Sequence, residues 1–232
     1  MKSHPSYIVF GSGRMATHIR RYFDLLEVPY LNFSRNSLND FQKLQIESGK
    51  ILLLISDDAI ENFYLSHRDY FPPELTWIHF SGALSVTGME SAHPLASFTE
   101  ILFDKNFYEE IFFVTESGKK SFTELFPELN NRHIAIPPEE KKKYHAWGSM
   151  AGNFTALLWL NYKNYLSQTV GIPDEAAKKY FESLGINLFE SASPLTGPIA
   201  RGDKKTIEMH LDQLKDSPYE DIYKSFVKLA GK

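Results

Sequence analysis

The sequence predicts an α/β chain in two parts: a mostly parallel sheet with flanking helices over residues 1–137, and an all-helical domain over residues 138–232. Three observations carry this reading. Short apolar runs alternate with helical periodicity through the first half, as in a parallel sheet with crossover helices. The double proline Pro137-Pro138 ends that alternation. Beyond it, apolar residues recur at intervals of three and four, the spacing of helices.

The first element is the stretch Tyr7 to Arg20, YIVFGSGRMATHIR. Tyr7 to Phe10 are strand formers, and Met15, Ile19 and Phe23 recur at helical spacing. Between them Gly11, Gly13 and Ala16 fill the G-x-G-x-x-A pattern of a Rossmann-like dinucleotide cradle. Gly11 serves the tight turn, Gly13 leaves room for a pyrophosphate, and Ala16 lets the helix pack on the strand. Ser12, Arg14 and Met15 complete the loop, whose N–H groups face the phosphates at a helix N-terminus.

Pro29 to Phe33 reads as the second strand and ends in Ser34-Arg35-Asn36-Ser37. An acidic residue at this distance from the glycines would select NAD, whereas Ser34 and Arg35 suit the 2′-phosphate of NADP. The alternative is a solvated Arg35 beside a helix cap made by Ser37 with Asp40. Ile51 to Ile55 has the two-sided apolar character of a central parallel strand. Ser56 and Asp57 follow it, at the nicotinamide side of the cleft, where Asp57 or Asp58 is expected to cap the next helix. Thr76 to Phe80 is a further strand, and a short loop leads from Ser81-Gly82 to His93-Pro94. Ligands of open α/β sheets gather outside the carboxyl ends of strands, so Ser81 and His93 belong to the right region. Imidazole exchanges protons near neutral pH and a serine hydroxyl orients a polar substrate. The strands Ile111 to Thr115 and His133 to Ile136 flank a helix near Lys119 to Phe126.

One long helix is predicted from about Glu139 to Thr169. Tyr144, Trp147, Met150, Ala151, Phe154, Leu157 and Leu158 give it a wide apolar face, expected to be buried. His145, Ser149 and Asn153, each four apart, form a polar stripe that must meet another helix, water or a ligand in an interdomain cleft. Further helices follow from Pro173 to about Leu184, from Lys204 to Leu214 with Asp203 as N-cap, and after Pro218. Arg201, just before that cap, can place a cation at a ligand's edge.

The 232 residues carry a net charge of −4 with acidic and basic groups interspersed, which speaks against nucleic-acid and membrane partners and for a small-molecule substrate. No cysteine is present, so disulfides, thiolate metal sites and a cysteine nucleophile are excluded. The eight histidines show no metal-ligand pattern. The start MKSHPSYIVF lacks a signal-peptide core, and Ile51 to Ile55 is too short to span a bilayer, so a cytoplasmic protein is expected.

HFSGALS, HPLASF, KYHAWGSMAGNF and LTGPIARGD, in that order behind the glycine pattern, resemble a bacterial family with a Rossmann-like domain and a helical C-terminal domain of unknown function. Its members are commonly described as NADP oxidoreductases without a known substrate. The resemblance covers almost the whole chain and implies a plan similar to pyrroline carboxylate and ketopantoate reductases, paired as homodimers through the helical domain. Ser81-Gly82 followed by His93-Pro94 is similar to prephenate dehydrogenases, where a serine and the histidine of a His-Pro pair border the hydride-transfer site. In β-hydroxyacid dehydrogenases a catalytic lysine stands four residues before an asparagine; Asn153 matches that asparagine, but Ser149 occupies the lysine position. His93 and His145 are therefore the acid/base candidates. Ser81 and Asn153 assist them, and Ser149 and Arg201 bind substrate. The expected activity is NADP-dependent hydride transfer to or from a small polar substrate. A sensor or assembly protein that binds NADP(H) without turnover, or a deazaflavin-linked reductase, is the alternative.

Overall fold

The computed structural model describes residues 6–44 and 48–231. The chain divides into two compact units, Met1–Ala156 and Leu157–Lys232.

The first unit is built on a seven-stranded sheet of strands β1 (Tyr7–Phe10), β2 (Tyr30–Phe33), β3 (Lys50–Leu53), β4 (Thr76–His79), β5 (Glu90–Pro94), β6 (Phe113–Glu116) and β7 (His133–Ile136). Their spatial order is β2-β1-β3-β4-β5-β6-β7. The first five strands run parallel; β6 is antiparallel to β5, and β7 is parallel to β6. This is the Rossmann-like α/β fold, with the carboxyl ends of β1 to β5 on one edge. The helices are α1 (Arg14–Leu25), α2 (Leu38–Gln42), α3 (Asp57–His67), α4 (Lys105–Glu110), α5 (Phe122–Leu125) and α6 (Pro138–Ser149).

Alternation along the strands divides the core between two faces. Tyr7 and Val9 of β1 join Phe23 of α1 and Phe126 on one face; Ile8 and Phe10 join Phe41 of α2 and Ile60 of α3 on the other. Each fully buried large side chain contributes about 1.5–3 kcal/mol, so covering both faces is what keeps the sheet closed to water. β3 follows the pattern expected of a central strand, with Leu52 and Leu53 both wholly buried on opposite faces.

Three features depart from the sequence reading. His93-Pro94 ends β5 rather than a loop, because ESAHP, though nearly devoid of strand formers, is held between β4 and β6. α4 has no predicted counterpart; Asp104 caps it by accepting from the Phe107 amide. The double proline does not part the chain, since Pro138 opens α6, the position a first-turn proline favours, and α6 belongs to the first compact unit.

A buried ion pair holds α6 there. Lys141 Nζ lies 3.2 Å from Glu116 Oε2 of β6 and 2.5 Å from Ser91 Oγ of β5. Both charged residues are almost wholly buried. Glu116 also accepts from Lys119 at 2.8 Å and from the Ser85 hydroxyl at 2.7 Å. Burial opposes ionisation of Glu116, and the hydrogen bonds from Lys119 and Ser85 outweigh it, holding the carboxyl below its ordinary range. Burial pushes Lys141 below its ordinary value, and Glu116 offsets part of that.

The chain stays helical through Val170: a π-helical stretch, Met150–Phe154, is followed by α7 (Thr155–Tyr165) and a second π-helical stretch, Leu166–Val170. The predicted long helix thus exists, with two widened turns. The second unit adds α8 (Asp174–Glu190), α9 (Gly197–Arg201), α10 (Lys204–Leu214) and α11 (Tyr219–Leu229). Asp203 caps α10 by accepting from the Thr206 amide, as its position predicts. The wide apolar face of the long helix is not buried: Trp147, Met150, Phe154 and Leu157 are exposed in the single chain. Among the described residues, no helix is long and apolar enough to cross a membrane.

Replacing Lys141 by Met keeps the volume but leaves Glu116 with one lysine in a buried site. We expect a loss of about 3 kcal/mol, the low end for breaking a buried pair because Lys119 remains. Urea unfolding of the two proteins measures it, and a change below about 1 kcal/mol would contradict the anchoring role.

Candidate functional site

The glycine loop leaves the carboxyl end of β1 between its two neighbours. Gly11 N–H donates to Phe33 O at 2.9 Å, and the Leu54 amide donates to Phe10 O. At φ +149°, a Cβ on Gly11 would lie 2.1 Å from Leu54 O, so glycine is the one residue that fits. Gly13 differs. Its φ of −77° suits any residue and a Cβ there would meet nothing within 4 Å, so its lack of a side chain serves open space above the loop. Gly13 is also the N-cap of α1, whose first turn has no side-chain cap and no acidic residue. The exposed Ser12, Gly13 and Arg14 ring this free positive helix end, while Ala16 is wholly buried and Met15 packs against the core. The arrangement suits an anion such as a phosphate group, which free N–H donors and a helix dipole hold.

Arg20 braces the loop, a role its sequence position did not announce. Its guanidinium donates to Gly11 O at 3.2 Å, Asn32 Oδ1 at 2.7 Å and Thr17 Oγ1 at 3.2 Å, tying loop, β2 and α1 together. At the end of β2, Ser34 N–H donates to the Ser37 hydroxyl at 2.9 Å, so Ser37 serves this turn and makes no cap hydrogen bond to α2. Arg35 is exposed and forms no ion pair among the described residues.

Ser56 is the N-cap of α3 with no side-chain hydrogen bond, and neither Asp57 nor Asp58 caps the helix. Both carboxylates lie in its first turn, where the dipole favours them. Asp57 instead accepts from the Ser81 hydroxyl at 2.6 Å. Ser81 Oγ in turn accepts from the amides of Ala83 and Leu84. With its proton and lone pairs used, Ser81 ties the loop after β4 to α3, which is a structural duty rather than the predicted substrate contact.

Four of the predicted residues do converge. A cleft of about 410 Å³ is lined by His93 and Ser97 from the sheet edge and by Tyr144, His145, Ser149 and Asn153 from the helical stretch above. The stripe of polar residues at i, i+4 and i+8 therefore has its partner in this cleft. Gly148 and Gly152 lie on the same lining and keep it open. The π-helical turns begin beside it, a common setting for functional side chains. Arg201 is exposed at the end of α9 in the second unit, and the cleft described here is lined by the first unit alone.

The two imidazoles close on Gly82. A Cβ there would sit 2.6 Å from the His145 ring and 3.0 Å from His93 Nε2, and the rings stand 5.7 Å apart at 86°. His93 Nδ1 is 2.9 Å from the Tyr144 hydroxyl. Burial, followed by His145 and Lys141, pushes the His93 pKa down to about 4, so the ring is neutral at pH 7. Paired residues place His79, Ser91, His93 and Glu116 along one face of β4, β5 and β6, under α6. His79 is wholly buried and neither ring nitrogen has a hydrogen-bond partner among the described residues; burial, with Lys141 and Lys119, pushes its pKa to about 3. Tyr144, Lys141, Glu116 and Gly82 escaped the sequence reading. Lys141 had a signal: Lys141, His145, Gly148 and Gly152 follow helical spacing, a polar and small-residue stripe opposite the aromatic one that holds Tyr144.

From β1 to β5 is three strand spacings, about 14 Å. The glycine loop and the imidazole pair thus stand on the same edge of one sheet.

No curated protein matches this chain in sequence. Among solved structures, a Bacteroides fragilis protein provisionally assigned as an NADP oxidoreductase superposes with a TM-score of 0.75 at 16% identity, over 97% of this chain and 96% of its own. A Thermotoga maritima protein gives 0.67 at 21% identity, over 97% and 96%. Pyrroline carboxylate reductase from Plasmodium falciparum, solved with NADP bound, gives 0.55 at 11% identity, also over 97% and 96%. These likenesses establish the fold. The model of the domain of unknown function DUF2520 matches residues 112–229, more than half of the chain, and the chain belongs to that family.

Proposed function

We propose that this protein is an NADP(H)-dependent oxidoreductase acting on a small polar substrate in the cleft between the His93 edge of the sheet and the His145 helix. The observation that carries the reading is the pairing, on one sheet edge, of an open glycine loop at an uncapped helix N-terminus with two imidazoles at an open cleft. The same fold holds NADP in the Plasmodium falciparum reductase, which supports the choice of cofactor class. A nicotinamide dinucleotide, when bound, supplies or accepts a hydride. The chain contributes the rest. Residues 11–16 and the α1 N-terminus hold the diphosphate, and Arg35 meets the 2′-phosphate from the end of β2. Ser149 and Asn153 orient the substrate, while the imidazoles bind its polar atom and handle the accompanying proton.

The second unit supports a further part of the proposal, that two copies pair through it. Among its described apolar residues, Leu166, Ala177 and Ile207 are buried, whereas Tyr180, Phe181, Leu188, Phe189, Phe226 and Leu229 are exposed. Phe189 is 88% exposed. An apolar groove of about 480 Å³, lined by Tyr162, Tyr165, Leu214, Tyr223 and Phe226, runs through the same unit. Exposed apolar surface on this scale supports an interface, and a second copy presents the matching helices.

Calorimetric titration with NADPH and NADH tests the cofactor reading. NADPH is expected to bind more tightly than NADH, and Arg35→Ala to weaken NADPH tenfold or more, the size of one charge-assisted hydrogen bond of about 1.5–3 kcal/mol. No binding of either nucleotide would overturn it.

Gly13→Ala is expected to lower stability by about 1 kcal/mol or less while weakening both nucleotides at least tenfold, because its methyl fills the open space without meeting protein atoms. Gly11→Ala, whose methyl strikes Leu54 O, is expected to cost about 1–3 kcal/mol in urea unfolding. Equal stability losses in the two variants would contradict the division of labour between these glycines.

Sedimentation velocity is expected to show a dimer that Phe181→Asp with Phe226→Asp converts to monomer. A monomeric parent protein at micromolar concentration would defeat the pairing.

A further inference from the structure

The two imidazoles at the cleft are not equivalent. His93 Nδ1 is tied to the Tyr144 hydroxyl at 2.9 Å, whereas His145 is half-buried on the cleft lining. A phenol is the stronger acid and an imidazole nitrogen the stronger base, so in a neutral pair the O–H donates to the nitrogen. Nδ1 then accepts, and the ring proton sits on Nε2, on the ring edge (Cδ2 and Nε2) that packs against Gly82 beside His145.

We infer that His93 serves as a fixed, neutral hydrogen-bond donor through Nε2–H, oriented by Tyr144 as a positioning residue, and that His145 carries the transferred proton. This rests on the oxidoreductase reading and divides its chemistry between the two rings. In the reducing direction a carbonyl carbon of the substrate would take the hydride from a nicotinamide cofactor held by residues 11–16, and His145 would pass a proton to the carbonyl oxygen and regain one from solvent. His93 gives up no proton; it holds the oxygen while charge gathers there.

The surroundings of His93 agree. On α6 it faces Lys141, Tyr144 and His145, and the positive groups among them, after burial itself, disfavour an imidazolium. The carboxylates of neighbouring elements are committed elsewhere: Glu116 of β6 to Lys141, Lys119 and Ser85, and Asp57 of α3 to Ser81. His79 of β4 brings no negative charge. Nothing among these groups compensates a proton on His93.

Long-range proton–nitrogen correlation spectra of the ¹⁵N-histidine full chain, recorded without cofactor from pH 8 to pH 5, test the inference. His93 is assigned by the signals lost in His93→Gln. We expect the Nε2–H tautomer, unchanged across the range, and mixed tautomers at the same site in Tyr144→Phe. An Nδ1–H tautomer in the parent protein, or an imidazolium forming above pH 5, would overturn the inference without recourse to any variant. A Tyr144→Phe spectrum identical to the parent would remove the positioning role of Tyr144. Because NADPH titration is a separate measurement, failure to bind nucleotide would sink the functional reading and leave the tautomer assignment standing.

Discussion

The arrangement of the site depends on one buried ion pair. Lys141 and Glu116 are removed from water together, joined by Ser91, Ser85 and Lys119, and they fix the first turns of α6 against β5 and β6. A helix held at that point by charge rather than by apolar packing has little freedom in rotation or register, because sliding it by one residue would strand both ions. Tyr144 and His145, one turn further along, are thereby aimed at His93, and Ser149 and Asn153 follow two and three turns on. The polar row on the sheet and the polar stripe on the helix are two halves of one device.

Close approach does the remaining work. Gly82 lets both rings rest against the backbone after β4, and a single added methyl would displace them. Ser81, the residue before it, is held by Asp57 and by two amides of its own loop, so the platform under the rings is fixed from α3 as well as from α6. Gly11 plays the same part at the other end of the edge, where Leu54 O leaves no room for a side chain and Arg20 clamps the turn from outside. Both ends of the site therefore rest on backbone contacts that only glycine permits.

Much of this was legible in the sequence because it follows from local rules. The strand-turn-helix at Tyr7 to Ala16, the aliphatic β3 and the N-cap Asp203 are dictated by spacing and residue type, and each is found where the pattern puts it. The polar stripe on the long helix was legible as a stripe, but not its partner, since helical geometry says which residues share a face and nothing of what they meet. β5 was illegible for a physical reason: its residues carry little strand preference, and pairing on both sides makes the strand. The double proline misled in the same way. It ends a strand and opens a helix, and only the burial of Lys141 shows that this helix folds back onto the sheet. Ser81 was placed correctly at its strand end, yet the hydroxyl turned inward to a carboxylate that reads from sequence as a cap.

The position of the helical cation settles the character of the cleft. Ser149 lines the cleft, and the buried lysine of the same helical stretch sits eight residues, about two turns, earlier. Among the described residues Lys141 donates to Glu116 and Ser91 and to no residue of the cleft lining. It still acts there through space: its charge, with burial, is among the causes that hold His93 unprotonated. Lys141 is thus a core anchor whose charge adds to burial and to His145 in disfavouring a proton on His93. The cleft is left to imidazole and neutral polar groups, a lining suited to hydrogen-bonding a polar substrate and moving one proton.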